Sequence, residues 1–256
     1  MIQIIELDAK ICTYDISNPL DAETKMRLIE YMARKSHASE DKMTADSYTR
    51  FLTSVVRNKG DWSVTRHATV ACEFTVPLGI AAELRTHKSG QYNGDDVDSD
   101  VKHLQHCEEV DEWHHGFTQS STRFVKFTHE RPLEVILPYG IDTLHHDADS
   151  KKTRAYYAWL RMVNAAEIEY NELIDLGHPP QVARDILPRC TAARLGVTYT
   201  INQWRYFFLM RTTIQAHPQV RIVSRKLLQQ FQYYFPIFFS DIEPEQSQSQ
   251  NLRLPW

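Results

Sequence analysis

The chain has 256 residues, 42% apolar and 24% charged, with a formal net charge of −4 and a pI near 6.3. That length and apolar share suffice for a substantial core and favour one domain, while the mild acidity argues against the broad basic footprint of a nucleic-acid-binding protein. No run approaches the roughly 20 apolar residues that span a bilayer, and the acidic start lacks the basic flank of a secretory signal, so a soluble, cytoplasmic protein with no membrane partner is expected.

Asn18-Pro19 opens an amphipathic stretch carrying Leu20, Met26, Leu28, Ile29 and Met32. A second runs from Tyr48 through Phe51, Leu52, Val55 and Val56 to a stop at Gly60, and both predict helices on a core. Ala68, Val70, Cys72, Phe74 and Val76 then alternate with Thr69, Ala71, Glu73 and Thr75, the period of a strand with one buried face, which Pro77 ends. Residues 78–88 suit a short helix on which Glu83 and His87 share a face. From Ser89 to about His115, with Gly90, Asn93-Gly94 and an aspartate run, the pattern is that of a loop or insertion.

A strand is expected at 133–137, followed by a long helix with Tyr156, Leu160, Val163, Ala166, Tyr170 and Leu173 on one stripe before Gly177. A short helix fits Pro180 to Leu187, a strand 195–201, and helices about 203–215 and 218–233. Strands and helices without regular alternation indicate an α+β fold. One domain is expected over 1–242, with an insertion at about 90–116 and a polar, disordered tail at 243–256. The aromatic stretch near 231–239 is compatible with subunit contact.

Cys12, Cys72, Cys107 and Cys190 are scattered and form no C-x-x-C pair, which suggests reduced thiols, with Cys12 and Cys72 acting as small core residues. His103, His106, Cys107 and the pairs His114-His115 and His145-His146 do not have a tight zinc spacing, so no metal is expected. There is no P-loop and no G-x-G-x-x-G. Residues 117–124, FTQSSTRF, gather hydroxyls beside Arg123, a set suited to a phosphate, although such a turn is usually just a solvated loop. Arg211 falls on a stripe with Trp204, Phe207, Phe208 and Ile214, an odd place for a guanidinium, which there must snorkel, pair with an acid or meet an anion.

Six blocks in order, GDWSVTRH (60–67), the strand 68–76, THK (86–88), SSTR (120–123), ARDILP (183–188) and NQWRYFFLMRTTIQAHPQVR (202–221), resemble the flavin-dependent thymidylate synthases. The resemblance implies an α+β fold with a mixed or antiparallel sheet flanked by helices. It also implies a homotetramer with active sites between subunits, using FAD, NADPH and methylenetetrahydrofolate to methylate a deoxypyrimidine monophosphate. Carried over by position, Ser120, Ser121, Thr122, Arg123 and Arg184 hold the nucleotide with Glu83 and Gln119 nearby. Arg211 and Ser121 are the catalytic candidates, Arg211 polarising the pyrimidine. Ser63, His87, Lys88, Asn202, Tyr206 and His217 face the flavin.

The chain departs from the family pattern at Thr86, Lys88, Arg66, Thr200 and Asn202 on the flavin side, and Glu83 and Gln119 exchange charge near the nucleotide. Two further readings follow from these departures. One is a paralogue that hydroxymethylates or otherwise modifies deoxycytidylate or deoxyuridylate; the other is a nucleotide binder that has lost its flavin.

Overall fold

The computed structural model describes residues 2–12, 19–86, 116–128, 130–141 and 150–244. The expectations for His87, Lys88, the histidine and Cys107 clusters, the tail beyond 244 and nearly all of the insertion lie outside these residues. The fold is α+β, with an antiparallel sheet flanked by helices, as the sequence implies. Strands β2 (Asp8–Ile11), β3 (Thr69–Pro77), β6 (Ala192–Thr200) and β4 (Gly116–Gln119) form one sheet in the order β2-β3-β6-β4, while β1 (Gln3–Ile5) pairs in parallel with β5 (Glu134–Ile136). Two compact units divide the chain, and β3 and β6 contribute residues to each.

The first unit takes residues 1–8, 74–86 and 117–196. Its long helix α4 (Lys151–Asp175) starts at Ser150, whose hydroxyl accepts from the Thr153 amide, and is followed by Gly177 at φ 89°, a left-handed position that glycine adopts without a Cβ penalty. The α4 residues Trp159 and Val163 pack with Leu133 and Val135 of the β5 segment in a buried cluster, joined by Phe127, Tyr156 and Leu187. The predicted α4 stripe is thus the one buried at Val163, Ala166 and Tyr170, with Trp159 added. Helix α3 (Leu78–Arg85) starts against the 189–191 segment, where the amides of Leu78 and Gly79 donate to the carbonyls of Thr191 and Arg189. A Cβ on Gly79 would meet Arg189 Nε at 3.2 Å, so a larger residue there would make the arginine side chain give way by a few tenths of an ångström.

The second unit takes 9–73, 87–116 and 197–256. Its helices are α1 (Pro19–Lys35), α2 (Ser47–Leu52), α6 (Ile201–Arg211), α7 (Pro218–Tyr234) and α8 (Pro236–Phe239). The predicted helix at 48–60 is α2 continued by a wider π turn, Thr53–Asn58, ending before Gly60 at φ 77°. Helix α6 starts with a reciprocal cap in which Thr200 and Gln203 each satisfy the other's backbone amide. Its aromatic residues Trp204 and Phe208 stack at 5.8 Å, and Phe208 meets Phe231 at 5.0 Å and Phe239 at 5.7 Å edge-on. Each fully buried Phe contributes on the order of 2 kcal/mol of transfer free energy, so this cluster is the unit's main apolar core. Glu30, fully buried on α1, is neutralised by Arg34 at 2.8 Å and accepts from the Ser47 hydroxyl at 2.8 Å.

Three sequence expectations are corrected here. The aromatics at 231–239 are core rather than contact surface: Phe231, Phe235, Phe238 and Phe239 are buried and only Tyr233, 76% exposed, points outward among the large exposed side chains. Cys12 is exposed at the end of β2, although its amide joins the ladder at Ala71 O, whereas Cys72 is buried as expected. Ile214 is 51% exposed and lies beyond α6, which ends at Arg211. The stripe imagined around Arg211 therefore stops at Phe208. Thr212 and Thr213, poor helix formers, follow the last helical residue.

Candidate functional site

In the first unit, the FTQSSTRF segment begins as strand β4 and becomes a turn at Ser120. The Ser120 amide donates to Arg194 O at 2.9 Å, and its hydroxyl accepts from the Arg194 amide at 3.0 Å, so β6 fixes the start of the turn. Arg194 is itself held by Glu134 through two bonds of 2.6 and 3.1 Å, and this pairing lowers the Glu134 carboxyl from its ordinary range. The Ser121 hydroxyl accepts from the Arg123 amide at 3.2 Å, and its carbonyl accepts from the amides of Phe124 and Val125 at 3.3 and 3.0 Å. This tight turn leaves Ser121 and Thr122 half-buried and Arg123 exposed.

The Arg123 guanidinium lies 5.2 Å from the Phe124 ring and donates from Nε to Gln181 Oε1 at 3.3 Å. Gln181 belongs to α5 (Pro180–Ala183), and Arg184 follows one turn later in the 3-10 segment Arg184–Ile186. Arg184 is 42% exposed and meets only the edge of Asp185, at 4.0 Å, in the described ion pairs. The structure therefore brings Arg123 to the helical turn that carries Arg184. Two exposed arginines beside two hydroxyls can receive a dianion, by planar forks and hydroxyl donors together. Glu83 is half-buried on α3 and Gln119 half-buried at the end of β4. Sequence reasoning missed Arg194 and Gln181, which carry no motif and act only through these bonds.

In the second unit, Ser63 stands in the 3-10 segment Trp62–His67 and donates to Asp61 at 2.5 Å. Asn202, fully buried, donates its amide to Trp62 O at 3.2 Å. Two of the flavin-side candidates are thus joined through Trp62, with Asn202 acting inward as a support for the turn that displays Ser63. Thr65 Oγ1 donates to the same carbonyl at 2.7 Å. Tyr206 is half-buried on α6, and His217 caps α7, its Nδ1 accepting from the Gln219 amide at 3.2 Å.

The arginine that α6 buries is Arg205. It is 4% exposed, lies 4.2 Å from the Trp62 ring centroid, and donates to Asp241 at 2.9 and 2.6 Å and to Phe238 O at 2.6 Å. Arg57 adds a 2.7 Å pair to the same carboxylate. Burial raises the Asp241 carboxyl, but the two guanidiniums outweigh it and hold it down at about 2. Arg211 is half-exposed at the C-terminal end of α6, where a cation complements the helix dipole. Burial pushes the Tyr199 hydroxyl well up, and the nearby Arg211 charge counteracts it.

Comparison with known proteins gives a consistent picture. The family model described as thymidylate synthase complementing protein matches residues 19–237. A flavin-dependent thymidylate synthase of Mycobacterium tuberculosis is 24% identical over 251 residues, covering 94% of this chain and 89% of the relative. One from Corynebacterium glutamicum is 32% identical over 143 residues, covering 52% and 54%. Among solved structures, the UMP/dUMP methylase PolB from Streptomyces cacaoi bound with 5-Br dUMP has a TM-score of 0.63 at 16% identity, covering 93% of this chain and 95% of that one.

Proposed function

Because the chain belongs to the thymidylate synthase complementing protein family, we propose that it is a flavin-dependent enzyme transferring a one-carbon unit from methylenetetrahydrofolate to C5 of deoxyuridine monophosphate, with NADPH as reductant. The observation that carries this reading is the turn at the end of β4, where Ser121, Thr122 and Arg123 stand beside the helical turn bearing Arg184. In this reading those groups bind the phosphate and fix the nucleotide in register, which converts binding into orientation. Arg211 faces the pyrimidine and stabilises charge that develops on its carbonyl. Ser63, Tyr206 and His217 have exposed or half-exposed side chains that fit a place beside a flavin, and Asn202 fits as the support of Ser63.

Bound FAD would supply the reducing equivalents. The three thiols among the described residues support a route without a cysteine nucleophile: burial pushes Cys72 and Cys190 up, and burial with Glu73 raises Cys12. Protonated thiols are poor nucleophiles. The family reading also implies subunits assembled as a homotetramer, measurable by light scattering.

The test is to desalt the full chain after adding FAD, record its visible spectrum, and then supply NADPH, methylenetetrahydrofolate and deoxyuridylate. Retained flavin and thymidylate by mass spectrometry are expected. A product one oxygen heavier, or turnover with deoxycytidylate alone, would replace this reading by the hydroxymethylating paralogue that Glu83 and Gln119 motivate. Nucleotide binding without flavin retention or product would leave a non-catalytic binder.

A further inference from the structure

Neither a phosphate turn nor a flavin pocket explains why Arg221 and Arg225 follow Arg211 on the next helix. Helix α6 ends at Arg211, and the chain crosses to α7 through residues 212–217. A helix end leaves carbonyls without partners within the helix. Here two of the carbonyls in the connection are met from α7: Arg225 Nη2 donates to Thr212 O at 3.2 Å, and Arg221 Nη1 donates to Ile214 O at 3.2 Å. Arg221 and Arg225 are four residues apart and so share a face of α7. Arg221 is 7% exposed, so its charge is committed inward.

The other end of the connection is fixed as well. His217 caps α7 through its Nδ1, Pro218 begins the helix, and the Thr212 hydroxyl donates to Phe208 O at 2.7 Å. We propose that Arg221 and Arg225 are positioning residues for Arg211, holding the α6–α7 connection so that the Arg211 guanidinium is aimed rather than merely present. The proposal rests on the role given to Arg211 above. Arginine suits the task because an ionised donor binds a carbonyl more strongly than a neutral one, at a helix end whose partial charge is negative.

The test is a double-mutant cycle on the full chain, with Arg211→Ala, Arg225→Met and their combination, reading kcat and KM for deoxyuridylate together with amide hydrogen exchange at 212–217. Arg225→Met is expected to lower kcat about 10-fold with KM within about 2-fold, and to add no further loss to Arg211→Ala. Exchange at Thr212 to Gln215 is expected to quicken. Arg221→Met serves as the second variant, and Arg221→Lys, which keeps one charged donor, is expected to recover part of its loss. Multiplying losses in the double variant, or unchanged exchange in both arginine variants, would overturn the proposal. If Arg211→Ala alone leaves turnover intact, the role of Arg211 fails and takes the proposal with it; quickened exchange in that case separates a real clamp from a wrong assignment.

Discussion

Arg205 and Arg123 both lie over aromatic rings, yet they stand at opposite limits of satisfaction. Arg205 is almost fully buried and engaged through both terminal nitrogens with Asp241 and Phe238, whereas Arg123 is exposed and held by one long bond to Gln181. The first arrangement commits both terminal nitrogens to holding the fold. The second leaves most of the fork for a ligand, and Arg184 is similarly open. The contrast teaches that an arginine is read better by its partners than by its place in a pattern: the well-partnered one supports the fold, and the poorly partnered one has donors left that an anion could use.

The comparison breaks most decisively at Arg205. Arg205→Leu leaves Asp241 facing Arg57 alone, and a loss of about 3–5 kcal/mol is expected in denaturant unfolding. A change below 1 kcal/mol would show that the pair is not structural. Arg123→Ala is expected to do the reverse, raising KM for deoxyuridylate about 10- to 100-fold while leaving the unfolding midpoint nearly unmoved, and adding Arg184→Ala should deepen the loss. Comparable destabilisation in both variants would erase the distinction.

The pH dependence sharpens the same point. Asp241 is held at about 2 against an ordinary 3.8, so its ionised form favours the folded state. Its contribution is complete above about pH 4 and is lost as pH falls towards 2. Asp241→Asn should therefore lower stability at neutral pH and flatten the acid limb of the stability curve between pH 4 and 2, read by thermal unfolding. Removing the Thr200 cap, Thr200→Ala, is expected to cost about 1 kcal/mol. The smallest effect belongs to Glu134→Gln, because the partly exposed pair with Arg194 contributes only about 0.5 kcal/mol, although its loss should loosen the Ser120 end of the turn.

How much of this was legible follows from the kind of signal each residue gives. Alternation at Ala68 to Val76 and the α4 stripe ending at Gly177 were plain because burial there repeats with the element's own period. The turn proposed to hold the phosphate could be picked out by chemistry, as hydroxyls beside an arginine, but its β4 half could not, since four residues with a half-exposed face carry too little pattern. Arg205 was missed, and Ile214 was placed on the helix, because periodicity cannot decide where a helix stops, nor find a carboxylate at Asp241 that only folding brings close. Asn202 was read as a ligand contact by position; its burial beneath Trp62 depends on the turn at 62–67, which no local propensity announces. The aromatic run at 231–239 shows the limit of composition: such residues suit an interface or a core, and here four of them chose the core.

The parallel pairing of β1 with β5 has a consequence for how the chain acquires its structure during synthesis. Gln3, Ile4 and Ile5 leave the ribosome well before their partners Glu134, Val135 and Ile136, which lie 131 residues further along the chain. Until those partners emerge, β1 has an open edge, a template for wrong pairing. Closing so long a loop is slow compared with forming a local helix such as α4. β1 therefore waits while the residues between it and β5 are made, and conditions that slow elongation lengthen its exposure to other nascent chains.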